Sequence, residues 1–173
     1  VGGSYATIAG GHANLIADAA SGATIAGGSS HIASAGQTSI GGGSYNVASA
    51  TFAAIGGGLG SIASATYAAV SGGSRNTASG FATSIGGGTW NAASHGSASV
   101  GGGAWNTASG FAASIGGGSA NAASGSHASI DGGSANSVSG GYGAICGGRQ
   151  NVAQGFAAVV AGGGSNTAAD TFA

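Results

Sequence analysis

The side chains able to do chemistry are few, and their spacing limits what they can do. His12, His31, His95 and His127 fall at four different phases of a fifteen-residue period, so they cannot stack as a ladder. A zinc site needs three or four ligands converging within a few ångströms. The histidines therefore read as solvated turn residues. Asp18, Asp131 and Asp170 share no phase either, whereas a calcium-binding roll needs an Asp in every repeat. No Gly-x-Ser-x-Gly segment occurs, and the absence of Lys rules out a phosphate-binding loop of the Walker type. A Ser-His-Asp triad would need a supporting pocket, which a thin stack does not provide. The chain reads as non-enzymatic, with no metal and no cofactor. Cys146 is the single cysteine, so no disulfide forms within the chain.

Binding chemistry is better represented. Tyr45, Arg75, Trp90 and Trp105 share one phase, and the last three come from consecutive repeats. Stacked repeats would set Arg75, Trp90 and Trp105 side by side about 5 Å apart, close enough for cation–π contact. Exposed turn aromatics bind sugars or protein partners. The same residues can instead pack on a neighbouring chain, and that reading is favoured here. Phe52 and Tyr67 are adjacent in the same way and read as cover for a sheet edge. Asn14, Asn46, Asn76, Asn91, Asn106, Asn121, Asn136, Asn151 and Asn166 occupy another single phase. A carbohydrate-binding row is one reading. The favoured reading is a structural ladder whose amides bond from coil to coil and hold the turn.

The elements that would position these residues follow from the period. Ile25, Ile40, Ile55, Val70, Ile85, Val100, Ile115, Ile130, Ile145 and Val160 recur every fifteen residues without a gained or lost position. Each repeat is a unit that cannot bury its own apolar face and must stack on its neighbours. Glycine doublets after every anchor exclude helix and supply left-handed turn conformations. A second turn, commonly Ser-Gly as at Ser79-Gly80 and Ser109-Gly110, closes the coil.

The predicted fold is thus all-β: a parallel β-roll or β-solenoid of about ten coils, with two short strands per coil. Runs such as Phe81–Ile85 and Asn106–Ser109 are the predicted strands. Residues 1–173 read as a single repeat domain, cut from a longer fibrous protein. The interval from Ile8 to Ile25 is seventeen residues, which places a two-residue insertion around Leu15-Ile16-Ala17-Asp18 as a bulged loop.

Inward positions should be the anchor, the Thr, Ala or Gly two residues before it, and the Ala or Val eight residues after it. Such a core buries little apolar surface against the entropy of ordering fifteen residues. The face opposite the anchor carries Ser39, Ala54, Ala69, Ser84, Ser99, Ser114, Ser129, Ala144 and Val159. A flat, nearly uncharged sheet of this kind is a template for association, so an obligate homo-oligomer is expected.

Composition narrows the partners. Arg75 and Arg149 are the only basic residues besides His, and charged residues make up 3 % of the chain. Nucleic acid and anionic membrane both require more positive charge than this. No apolar run is long enough to span a bilayer as a helix.

The repeats resemble the heads of trimeric autotransporter adhesins, the YadA-like family of Gram-negative surface proteins. Ala82-Thr83-Ser84-Ile85-Gly86, Ala98-Ser99-Val100-Gly101 and Ala113-Ser114-Ile115-Gly116 are similar to the family's strand motif. Gly102-Gly103-Ala104-Trp105-Asn106-Thr107-Ala108-Ser109-Gly110 is similar to a turn variant seen in some heads. The period here is fifteen rather than about fourteen, and the usual charged loop residues are missing.

The resemblance implies a left-handed roll and a homotrimer displayed outside a bacterial cell. It implies a stalk and membrane anchor elsewhere in the protein, and attachment to host cells, matrix proteins or glycans. The alternative is a structural module of a phage tail fibre or extracellular filament. Ice binding ranks below both, because Thr77, Thr107 and Thr167 share a phase interrupted by Ala92 and Val152.

Overall fold

A computed structural model describes residues 2–173 and is a parallel β-solenoid. Val1 lies outside the described residues. Among the described residues, twenty-two strands form two eleven-stranded sheets, and strands alternate between them along the chain. Sheet 1 begins with Thr7–Ile8 and Thr24–Ile25, and sheet 2 with Leu15–Ile16 and Ile32–Ala33. The coil count is therefore eleven rather than ten, because Ile8 is a full member of the anchor column and pairs with Ile25.

Every strand is only two residues long, shorter than the runs expected from sequence. Ser84–Ile85 stands where a five-residue strand was predicted, and Thr107–Ala108 where four were. The reason is the corners. A left-handed residue precedes each strand by two positions, as Ala82 does before Ser84–Ile85 and Trp90 before Ala92–Ala93. Extended geometry cannot continue through it.

Register is exact. Residue n lies over n+15 in both sheets, as in Ser84↔Ser99 and Ala93↔Ala108. Only the first coil departs, with Thr7↔Thr24 and Leu15↔Ile32 both seventeen apart. Leu15 and Ile16 are thus regular strand residues, and the two extra residues lie just after them. There the Ala20 N–H donates to the Ala17 carbonyl and the Ser21 N–H to that of Ala19. The strand's partner fixes Leu15–Ile16 in place, so only the following turn is free to absorb the insertion.

The core is as narrow as expected. The anchors from Ile25 to Ile145, the Ala33-to-Ala153 column and the Ala23-to-Ala158 column are all buried. A fourth inward column is polar and consists mostly of Asn.

Of each glycine doublet, only the second residue regularly takes the left-handed conformation, at φ +83 to +99° from Gly28 to Gly163. A methyl group at Gly103 would fall on the Gly118 carbonyl oxygen of the next coil, whereas one at Gly102 would meet nothing within 4 Å. Gly103→Ala should therefore lower stability by more than about 2 kcal/mol, combining left-handed strain with a backbone clash. Gly102→Ala should be neutral or slightly stabilising. Denaturant melts of the two variants would check the contrast.

Candidate functional site

The buried Asn column is the most regular polar feature of the molecule. From Asn46 to Asn151 its members are at most 1 % exposed. Asn106 shows the pattern. Its Nδ2 donates to the Gly102 carbonyl of its own turn at 2.9 Å and to the Gly118 carbonyl of the next coil at 3.0 Å. Its Oδ1 accepts the backbone N–H of Asn121 at 3.0 Å. Each side chain therefore ties its own turn to the backbone of its successor rather than to another amide. Asn14 makes the same three contacts across the longer first interval. The amides are consumed internally, so this column presents nothing to a ligand.

Two positions in the column are not Asn. Ser61 accepts the Asn76 N–H at 3.4 Å but lacks the donors that would reach the turn carbonyls. His31 is the other, and here the expectation of a solvated turn histidine fails. The ring is fully buried; its Nδ1 accepts the Asn46 N–H at 3.1 Å, and its Nε2 has no hydrogen-bond partner among the described residues. Burial pushes the imidazole below its usual range, and the backbone at Gly43 and Asn46 opposes this only in part. His31 shares the phase of Asn46 and Asn76, and that was the available sequence signal.

Two columns of exposed side chains stand on the two turns. On the turn leading into sheet 2, Trp90 and Trp105 stack with centroids 5.1 Å apart and planes 8° from parallel. The Arg75 guanidinium lies over Trp90 at 4.8 Å. Tyr45 shares the column but is separated from Arg75 by Gly60. Tyr45, Arg75, Trp90 and Trp105 all have φ between 55 and 61°.

The turn leading into sheet 1 carries a longer ladder. Phe52 stacks on Tyr67 at 5.0 Å, and Phe81 meets Tyr67 edge-on. A second run goes through His95, Phe111, His127, Tyr142, Phe156 and Phe172, with neighbouring centroids 4.8 to 6.0 Å apart. His95 and His127 thus do join a stack, with Phe111 between them. Their different phases hid this, because rings rooted at three adjacent positions of one turn converge on the same line.

Neither outer sheet face carries appreciable charge. A shallow groove of about 520 Å³ follows sheet 1, lined by Ala69, Ser84, Ser99 and Ser114 with Ser71 and Asp131 beside them. On sheet 2 the first four coils show Leu15, Ile32, Val47 and Ile62 outward in one column. No group of three His, Cys, Asp or Glu residues is placed to hold a metal among the described residues. Compared with models of known protein families the chain matches none, and no curated protein matches it.

Asn106→Ala would strand the buried Asn121 N–H and the Gly102 carbonyl, while the Gly118 carbonyl would keep the Ala104 N–H. It should cost about 2–4 kcal/mol, while Ser61→Asn should gain about 1 kcal/mol, both read from denaturant melts. His31 binds a proton less readily folded than unfolded. Its contribution is therefore flat above pH of about 6.5 and turns destabilising as pH falls through that value. His31→Asn should remove this acid-side slope in melts taken from pH 7.5 to 5.

Proposed function

We propose that this chain is the rod-forming head segment of an extracellular surface adhesin. It works without catalysis, as a left-handed homotrimer displayed on a bacterial cell. It attaches that cell to host surfaces, matrix proteins or glycans. The observation that supports this reading most is the outer face of sheet 1. Thr24, Ser39, Ala54, Ala69, Ser84, Ser99 and Ser114 follow one another there at strand spacing, with no charge among them. A small-residue face of that regularity suits close packing against the same face of a sister chain. The thin core supports the same reading, since a lean coil gains most from being covered on its outer side.

The uniformity of the coils also favours a second reading, in which the rod is a spacer in a phage tail fibre or an extracellular filament and has no receptor. Both readings share the trimer and differ in attachment.

Sedimentation equilibrium of the purified chain should give three times the monomer mass. Ser99→Lys with Ser114→Lys should dissociate it to monomers, because packing would bury like charges in contact. Ile32→Lys with Ile62→Lys, on the outer face of sheet 2, should leave the mass unchanged. A stable wild-type monomer would overturn the reading. Adhesion of coated beads to matrix proteins and cells should exceed that of uncoated beads; trimers without adhesion would leave the spacer.

A further inference from the structure

We propose that His31 makes the seam between the second and third coils an acid-operated break, at which the first two coils detach while the rest of the stack stays folded. Coil 1 carries the strands Thr7–Ile8 and Leu15–Ile16, coil 2 Thr24–Ile25 and Ile32–Ala33, and coil 3 Ser39–Ile40 and Val47–Ala48. The His31 ring stands in the buried column that elsewhere holds Asn, between Asn14 of coil 1 and Asn46 of coil 3. Its Nδ1 accepts the Asn46 N–H at 3.1 Å, so that nitrogen bears no proton and the ring is neutral in the closed stack. The single ring proton is then on Nε2, which lies against the Gly28 turn and has no hydrogen-bond partner among the described residues.

A second proton has no place in the closed stack. It would sit on Nδ1 and set one N–H against another, the donor of Asn46. An Asn carbonyl oxygen in the same place takes up no proton and keeps its bond at any of these pH values. No charge compensates for an imidazolium either. The turns around Asn14, Gly28 and Asn46 pack against the ring, and the titratable groups on them are His12 and Tyr45, both exposed. Asp18, the nearest acid in sequence, is exposed beyond Leu15–Ile16, on the opposite turn. The charged ring is thus buried unpaired when the seam is closed and solvated when it is open. Burial lowers the proton affinity of the closed ring in the same sense.

Proton uptake acts on this one seam. In a stack whose repeats touch only their neighbours, opening takes place at the weakest interface. Coils 1 and 2 are joined across the irregular seventeen-residue interval, and two coils are fewer than the roughly three repeats that sustain a solenoid. Once detached, they unfold. Opening bares the carbonyls of Thr38, Ile40, Gly43, Asn46 and Ala48, which accept N–H groups of coil 2 while the seam is closed. Acid therefore converts a covered rung into an open strand edge. The device needs only the solenoid and is independent of surface attachment.

Hydrogen exchange of the full chain, followed by NMR and corrected for the intrinsic rate at each pH, locates the break. Between pH 7.5 and 5 the protection of the Leu15, Thr24 and Ile32 amides should fall by up to about thirtyfold, since pH 5 lies about 1.5 units below the pKa of an unfolded His. The Ser137 and Val152 amides donate to the carbonyls of Asn151 and Asn166 at the far end. Their protection should stay within about twofold.

His31→Asn should abolish the pH dependence in coils 1 and 2 while His12, His95 and His127 are still present. Adding Asn136→His to that variant should move the acid-sensitive exchange to the Ser137 and Val152 amides. Equal loss at both ends, loss that survives His31→Asn, or unprotected amides in coils 1 and 2 already at pH 7.5 would overturn the proposal. So would acid sensitivity that does not follow the transplanted imidazole.

Discussion

The solenoid depends on one polar contact repeated along its interior, the buried asparagine amide. Aliphatic anchors bring successive coils together, but apolar contact is non-directional and does not fix register. The amide does. It satisfies the carbonyl of its own turn and one backbone N–H that would otherwise be orphaned, and adds a second bond to a carbonyl of the next coil that already accepts a backbone N–H. A shift of one residue would break all three bonds in every coil at once. Ser61 shows the requirement by exception, since its hydroxyl keeps one of the three and the other two are lost there.

A second constraint is set by the corners. Among the described residues, twenty-one non-glycine residues hold positive φ, in two columns that recur once per coil except where Gly22 and Gly60 take the corner. Conformations of this kind persist where the surroundings over-determine them, and here ladders on both sides do so. The side chains at these corners are thrown outward and stack on their neighbours above and below. Aromatic residues are therefore displayed at the turns while small ones line the sheets. Strain in the backbone and display of rings on the surface have the same origin.

Much of this was legible in the sequence. An invariant period fixed the parallel pairing of residue n with n+15, and the smallness of the alanine column fixed the closeness of the sheets. Tyr45, Arg75, Trp90 and Trp105 could be placed in one column because they share a phase. The His95-to-Phe172 stack could not, since its rings start from neighbouring positions and converge only through their side-chain rotamers. His31 was misjudged because a titratable residue among polar turns looks solvated until its phase is compared with that of the Asn column. Strand length was overestimated, as extended propensity at Phe81 and Ala82 yields to the corner conformation that closes the coil.

The amide contacts also have a direction. Between coils, every Asn side chain from Asn46 to Asn151 reaches forward, to the carbonyl twelve residues ahead and the N–H fifteen ahead, and its remaining bond stays within its own turn. During synthesis from the N-terminus, each finished rung thus offers a ready-made dock before its successor leaves the ribosome. Growth is vectorial: the slow event is the first rung, and later ones add by local search over about fifteen residues. A chain built in this way can be lengthened by duplicating repeats without making its folding problem harder.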